Sequence, residues 1–293
     1  MKTKWGCKIL QSAAVVLATV MLWLLARDGL SALYWTICNA LIGAWGVTSK
    51  NLYRAPGFVR VMTGYGALIA ETLGALLLLL ITRILKRRLT DSATEGRFSG
   101  RGAGAGLAQG AGMTAALWLI YVLAGTMRAS RGAAFSQQGM LGYGAALLLI
   151  DMLALAARLA FAYTLVYPLI RRQLGRWGAL AVMAALVLIE TAWDDSTRAV
   201  WLVNAALLTA VCCFSLEKRG NIGWIVGFRT AFFALNMLFG LPNANGVLLC
   251  ETYLVNSAWL NGGSSGMMAG LGLTAALILL LGLCIRSLRK SPS

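Results

Sequence analysis

Lys218-Arg219-Gly220-Asn221-Ile222-Gly223-Trp224 forms a basic corner between two apolar runs. The run after the corner extends to a Gly240-Leu241-Pro242 stop. Its length of about 20 residues is that of a helix crossing the hydrocarbon core of a bilayer. Arg229 lies about two turns inside this predicted helix. Because a guanidinium in hydrocarbon costs roughly 3 kcal/mol on insertion scales, Arg229 needs a partner or a water-filled cavity.

The composition is that of an integral membrane protein. Hydrophobic residues make up 59% of the 293 residues, charged residues 12%, and the mean hydropathy is +0.74. The net charge of +16 does not indicate a nucleic-acid partner. Lys and Arg cluster at the ends of apolar runs instead, as the positive-inside rule expects for a protein whose main partner is the lipid bilayer.

The residue types that carry most metal and acid-base chemistry are scarce. The chain has no histidine, which removes the commonest zinc ligand and the commonest general base. Its 6 cysteines show no C-x-x-C spacing. We therefore predict no metal site and no cofactor. A disulfide between Cys38 and Cys250 outside the membrane stays open at this stage.

The N-terminal region, residues 1–100, is predicted to hold two spans, at 9–26 and 61–82, and a polar loop at 90–102. The apolar run 29–48 is predicted to be interfacial or re-entrant. If it crossed the membrane, the basic cluster 83–88 would fall outside and violate the positive-inside rule. With this run excluded, both termini face the cytoplasm and the protein lies in the cytoplasmic (plasma) membrane.

Residues 103–293 are predicted to form a helical core, with spans at 103–127, 140–170, 178–193, 199–215, 222–241 and 266–285. The fold class is therefore all-α, a polytopic transmembrane helix bundle of about eight spans. Gly102, Gly106 and Gly110 recur every four residues, a small-residue stripe that lets a second helix approach closely.

Ionisable residues inside predicted spans are the candidates for function. They are Glu71, Asp151, Arg158, Glu190 and Arg229. The alternative is that they pair with one another and only hold helices together. Asp151 and Arg158 lie seven residues apart, so they share one helical face and point into the same seam.

An ordered series of landmarks runs from about residue 100 to the C-terminus. It comprises Tyr167-Pro168-Leu169-Ile170-Arg171-Arg172-Gln173-Leu174-Gly175-Arg176-Trp177, the corner at 218–222, Gly227-Phe228-Arg229, Phe232-Phe233, Phe239-Gly240-Leu241-Pro242 and Gly262-Gly263-Ser264-Ser265-Gly266. In order and spacing this series resembles the CPBP family, the intramembrane CAAX-protease and bacteriocin-processing (Abi-type) proteins. The resemblance implies a CPBP-like helical core for residues 103–293.

The resemblance also implies a site in which glutamates and histidines activate water for peptide cleavage. Here the first motif falls near Arg158 and Tyr163, and both of its glutamates are missing. The second motif's histidine is lost beside Glu190, and the third motif's histidine aligns with Arg229. Since an arginine neither ligates a metal nor takes a proton, no catalytic residue is expected.

The expected site is therefore a polar cavity lined by Arg158, Tyr163, Glu190 and Arg229, suited to an anion or a carboxylate. Arg158 and Arg229 would face each other across the core, with Asp151 or Glu190 as counter-ions. The resulting hypothesis is a non-catalytic binding, scaffold or regulatory partner of another membrane protein or membrane-bound peptide. Two alternatives stay open: a CAAX-type endopeptidase with a divergent carboxylate site, and a small-molecule or ion transporter.

Overall fold

The computed structural model describes residues 29–44, 46, 65–89, 97–131, 140–192, 199–239, 250–254, 258–262 and 267–289, with positions 17 and 21. Within these ranges the chain is helical apart from one two-stranded ribbon. Gly100–Leu123, Leu148–Ile189 and Ala199–Arg219 are long and apolar enough to cross a membrane. The fold is therefore all-α and suited to a membrane. Apart from positions 17 and 21, the span predicted at 9–26 lies outside the described residues.

The helices are α1 Leu30–Ala44, α2 Gly66–Leu89, α3 Gly100–Leu123, α4 Met140–Phe161, α5 Tyr167–Ala192, α6 Ala199–Arg219, α7 Ile222–Leu238, α8 Ala258–Asn261 and α9 Leu271–Arg289. A π-helical turn, Ala162–Val166, joins α4 to α5, and a 3-10 turn, Met267–Ala269, precedes α9. Strands β1 Met127–Arg131 and β2 Cys250–Leu254 pair antiparallel.

Two predicted boundaries around α3 were wrong. The polar loop at 90–102 ends earlier than predicted, because the Ser99 side chain accepts a hydrogen bond from the Gly102 backbone N at 3.2 Å and so caps α3. The span predicted to reach residue 127 ends at Leu123, where Gly125 turns the chain with φ +69°. Met127 then starts β1, whose backbone groups pair with β2.

Helix α1 is short. Its 15 residues span about 22 Å, less than the roughly 30 Å of a bilayer core. Trp35 packs directly against Gly66 at the start of α2. Cys38 is a buried free thiol. The side chain of Cys250, the other cysteine of the disulfide left open above, lies outside the described residues.

Helix α5 reverses at Gly175, whose φ of 71° and ψ of −178° interrupt the helix. Before this break Tyr167 and Arg171 contact Glu217, and after it the ring of Trp177 meets that of Phe214. Both halves of α5 therefore meet the C-terminal end of α6. Since only residues 193–198 link α5 to the start of α6, the second half runs back along α6, as the separate span predicted at 178–193 requires.

The tightest packing in the described bundle joins α3 and α7, which run parallel. Residue numbers increase in the same direction along both helices at their contacts. Gly102 lies against Asn221, Gly106 against the backbone of Trp224, and Gly110 against the backbone of Phe228. From the other side, Gly223 and Gly227 meet the backbone of Ser99 and Ala103. The predicted small-residue stripe at Gly102, Gly106 and Gly110 is confirmed as a packing surface.

One end of the bundle collects basic residues. Helices α6 and α9 run parallel, since Asn204 meets Gly270 and Ser215 meets Cys284. The starts of α3 and α7, the ends of α6 and α9 and the turn at Gly175 therefore share one end. We call it the basic end, because it holds Arg97, Arg101, Arg171, Arg172, Arg176, Lys218, Arg219 and Arg286. The ribbon lies at the opposite end of α3.

The basic corner is a linked pair of helix caps. Gly220 takes φ +56° after the last turn of α6 and accepts a hydrogen bond from the backbone N of Arg97 at 2.7 Å. The Asn221 side chain then caps α7, accepting hydrogen bonds from the backbone N of Gly223 at 2.9 Å and of Ser99 at 3.3 Å. The corner thereby fixes the starts of α3 and α7 side by side.

Candidate functional site

The structure brings three of the candidate residues together between α2 and α4. Arg158 on α4 forms an ion pair with Glu71 on α2, with 3.6 Å between the guanidinium Nη2 and the carboxylate Oε2. Asp151 lies within electrostatic range of both. Asp151 and Arg158 therefore point into one seam, as their seven-residue spacing predicts. We call these three residues the acidic cluster, because two carboxylates face one guanidinium.

The acidic cluster is partly open to the outside of the bundle. The Arg158 and Glu71 side chains are 33% and 36% exposed within the described structure. The ion pair links α2 to α4, and the partial burial of both side chains makes either charge costly without its partner. The second carboxylate leaves the cluster with a net negative charge when both acids are ionised. The cluster can therefore also attract a cation or hold a proton.

Replacing Arg158 with Leu is expected to destabilise the protein by about 1–2 kcal/mol, a value reduced for the partial exposure of the pair. Glu71 and Asp151 would then lie together without their cation. Adding Glu71→Gln to Arg158→Leu should restore part of the loss, because it removes one of the two orphaned charges. Thermal unfolding in detergent measures both variants. Additive losses in the double variant would show that Arg158 and Glu71 do not interact.

A second polar group surrounds Arg229 inside the bundle. Arg229 lies within electrostatic range of Tyr163 and Cys212, and a hydrogen bond joins those two side chains. Tyr163 is 3% exposed and Cys212 0%. Among the described residues no carboxylate forms an ion pair with Arg229. We call Arg229, Tyr163 and Cys212 the cationic site.

The backbone around Tyr163 is itself unusual. Tyr163 lies in the π-helical turn Ala162–Val166 between α4 and α5. A π turn widens the helix locally and occurs frequently at functional sites. Here it lies between Arg158 of the acidic cluster and Tyr167, which binds Glu217. The sequence signal for this turn is Pro168, two residues beyond it, which has no N–H to bind the carbonyl of Thr164.

That Arg158 and Arg229 face each other across one cavity stays a prediction. Arg158 has its counter-ion in Glu71, and Asp151 belongs to the same cluster. Arg229 has neutral neighbours instead. The helices that carry the two arginines, α4 and α7, contact each other. The side chain of Glu190, near the end of α5, lies outside the described residues.

Two polar residues that the sequence analysis did not single out make precise contacts. Glu217, whose side chain is 9% exposed, accepts hydrogen bonds from the Tyr167 hydroxyl and from Arg171, each at 2.7 Å. Asn204 is fully buried in α6 and donates to the backbone carbonyls of Met268 at 2.7 Å and Gly270 at 3.1 Å. The sequence signal that could have identified them is an amide or a carboxylate within an apolar helix, since a buried polar group needs a hydrogen-bond partner.

Within the part of the chain that the structure describes, no group of three or more His, Cys, Asp or Glu side chains could hold a metal ion. The acidic cluster and the cationic site offer charge and hydrogen bonding. Comparison with protein-family models, with curated proteins and with solved structures finds no match to this chain.

Proposed function

We propose that this protein is a multi-pass membrane protein that binds another membrane protein or a membrane-bound peptide without cleaving it. Its core would be CPBP-like, with about eight spans and with the catalytic positions replaced. The basic end would face the cytoplasm, since Lys and Arg mark the cytoplasmic side of bilayer proteins. Both termini would lie on that side of the plasma membrane.

The observation that supports this proposal is the set of neighbours around Arg229. Its guanidinium lies within electrostatic range of Tyr163 and Cys212, and no described carboxylate pairs with it. A guanidinium stays charged, carries five donors and neither accepts a proton nor ligates a metal. Such a group suits a fixed anion and not the activation of water. We infer that the ligand brings a carboxylate to the cationic site, from an acidic side chain or from the end of a chain.

A second candidate function is supported by the acidic cluster. Glu71 and Asp151 lie close enough to influence each other electrostatically, and paired carboxylates serve as acid and base in many hydrolases. An endopeptidase of this kind would depend on Glu71 and Asp151 and not on Arg229. The two candidates therefore respond differently to substitution.

The test is co-purification of the tagged full-length protein from native membranes in mild detergent. We expect the wild type to enrich a membrane protein or peptide, and Arg229→Gln to reduce its recovery at least tenfold, because a charge-assisted contact is lost. Arg128→Gln is the matched control, since Arg128 is exposed in β1. Equal recovery with Arg229→Gln would refute the carboxylate contact. Cleavage products that disappear with Glu71→Gln would favour the endopeptidase.

A further inference from the structure

The turn at Gly175 brings basic and apolar side chains from two segments together at the basic end. The Arg176 guanidinium carbon lies 4.6 Å from the centre of the Phe214 ring on α6. Phe214 and Lys218 are four residues apart on that helix, so both project from the same face. Arg176 and Lys218 therefore lie on neighbouring turns of one surface, although 42 residues separate them in the chain.

Among the described residues, few acidic side chains compensate the positive charge of Arg176 and Lys218. In the part of the chain that the structure describes, Glu217 is the one carboxylate at the basic end, and it is already bound by Tyr167 and Arg171. The Nε of Arg176 is buried without a hydrogen-bond partner. Lys218 is exposed. Arg176 and Lys218 thus keep donors and positive charge that no described acid satisfies.

The neighbouring surface is apolar and open. Trp177 is 68% exposed and Leu174 44%. The ring of Trp177 lies 5.6 Å from the Arg176 guanidinium and also contacts the Phe214 ring, so the guanidinium lies against both rings. An exposed tryptophan beside cations at the end of a transmembrane bundle is typical of the headgroup level of a bilayer. We call Leu174, Arg176, Trp177 and Lys218 the turn patch.

We propose that the turn patch binds the phosphate of an anionic phospholipid headgroup. The cations would hold the phosphate, and Trp177 with Leu174 would contact the glycerol and upper acyl chains. A lipid can contact both the cations and the apolar side chains of the turn patch, whereas a free phosphate can contact only the cations. The stacked guanidinium is fixed in place, so its planar fork loses little freedom when it binds phosphate oxygens.

The experiment uses the full-length protein in a neutral detergent, titrated with short-chain phosphatidylglycerol and followed by native mass spectrometry. Short-chain phosphatidylcholine and inorganic phosphate are the comparison ligands. We expect a saturable phosphatidylglycerol adduct whose affinity falls about fivefold for each cation removed, and thus roughly 25-fold in Arg176→Gln/Lys218→Gln. Arg128→Gln should leave this affinity unchanged, because Arg128 lies at the ribbon end.

Three outcomes would overturn the proposal. They are equal affinity for phosphatidylglycerol and phosphatidylcholine, equal losses in the double variant and in Arg128→Gln, or binding of inorganic phosphate as tight as that of the lipid. Lys218→Gln alone is the control for misfolding of the double variant, since the Lys218 side chain is exposed. That single variant should keep the wild-type melting temperature in phosphatidylcholine and still lose about fivefold in affinity.

Discussion

Replacing Gly106 with alanine is expected to lower the free energy of unfolding by about 3 kcal/mol, the upper part of the usual range for overpacking. A methyl group at Gly106 would meet the backbone carbonyl of Trp224 and lie 2.8 Å from the backbone N of Phe228. Backbone atoms cannot rotate away as a flexible side chain can. Helices α3 and α7 must therefore separate and lose packing along their shared face. Thermal unfolding of the purified protein in detergent measures the loss.

Gly104 and Gly112 provide the matched controls on the same helix. A methyl group at either position meets nothing within 4 Å. Alanine there should be neutral or stabilise the helix by up to about 1 kcal/mol, because alanine is the better helix former. If Gly106→Ala were tolerated as well as Gly104→Ala, the close approach of α3 and α7 would be wrong.

Asn204→Leu is expected to cost roughly 2–4 kcal/mol, because two buried backbone carbonyls would lose their donor. These carbonyls belong to Met268 and Gly270, which lead the chain into α9. Leucine has the same branching as asparagine but is larger and offers no hydrogen bond. We therefore expect the entry of α9 to loosen as well, which hydrogen exchange of residues 267–274 can measure.

Thr209→Val on the same helix is the control for this prediction. The Thr209 hydroxyl is buried and donates only to the carbonyl of Ala205, within its own helix. Its loss leaves the contact between α6 and α9 intact, so the cost should be below about 1 kcal/mol. Equal losses for Asn204→Leu and Thr209→Val would contradict the bridging role of Asn204.

The apolar pattern of the sequence predicts much of the described fold, because the runs at 61–82, 103–127, 199–215, 222–241 and 266–285 each correspond to a helix. The glycine spacing in α3 likewise predicts a close contact. It does not name Gly223 and Gly227 as the opposing surface, because a small-residue stripe carries no information about what faces it. In the strand Met127–Arg131 apolar and polar residues alternate over only the first four residues, which is too short a pattern to identify Cys250–Leu254 as its partner.

The candidate site was likewise predictable only where its residues share one helix. Asp151 and Arg158 share a helix, so their spacing alone places them in one seam. The pairing of Arg158 with Glu71 depends on how α2 packs against α4, which no local pattern encodes. The proximity of Tyr163 to Arg229 depends on tertiary packing in the same way. Residues from separate helices are brought together by the fold, and only a family resemblance or a structure can suggest such a meeting.

The central claim is that Arg229 is a fixed cation that receives a carboxylate from a membrane-embedded partner. The most direct test places a photo-crosslinking phenylalanine analogue at Tyr163 and irradiates native membranes. We expect an adduct with a membrane protein or peptide, and at least a tenfold loss of that adduct when Arg229→Gln is added. An adduct of equal yield in both proteins, or none in either, would contradict the claim.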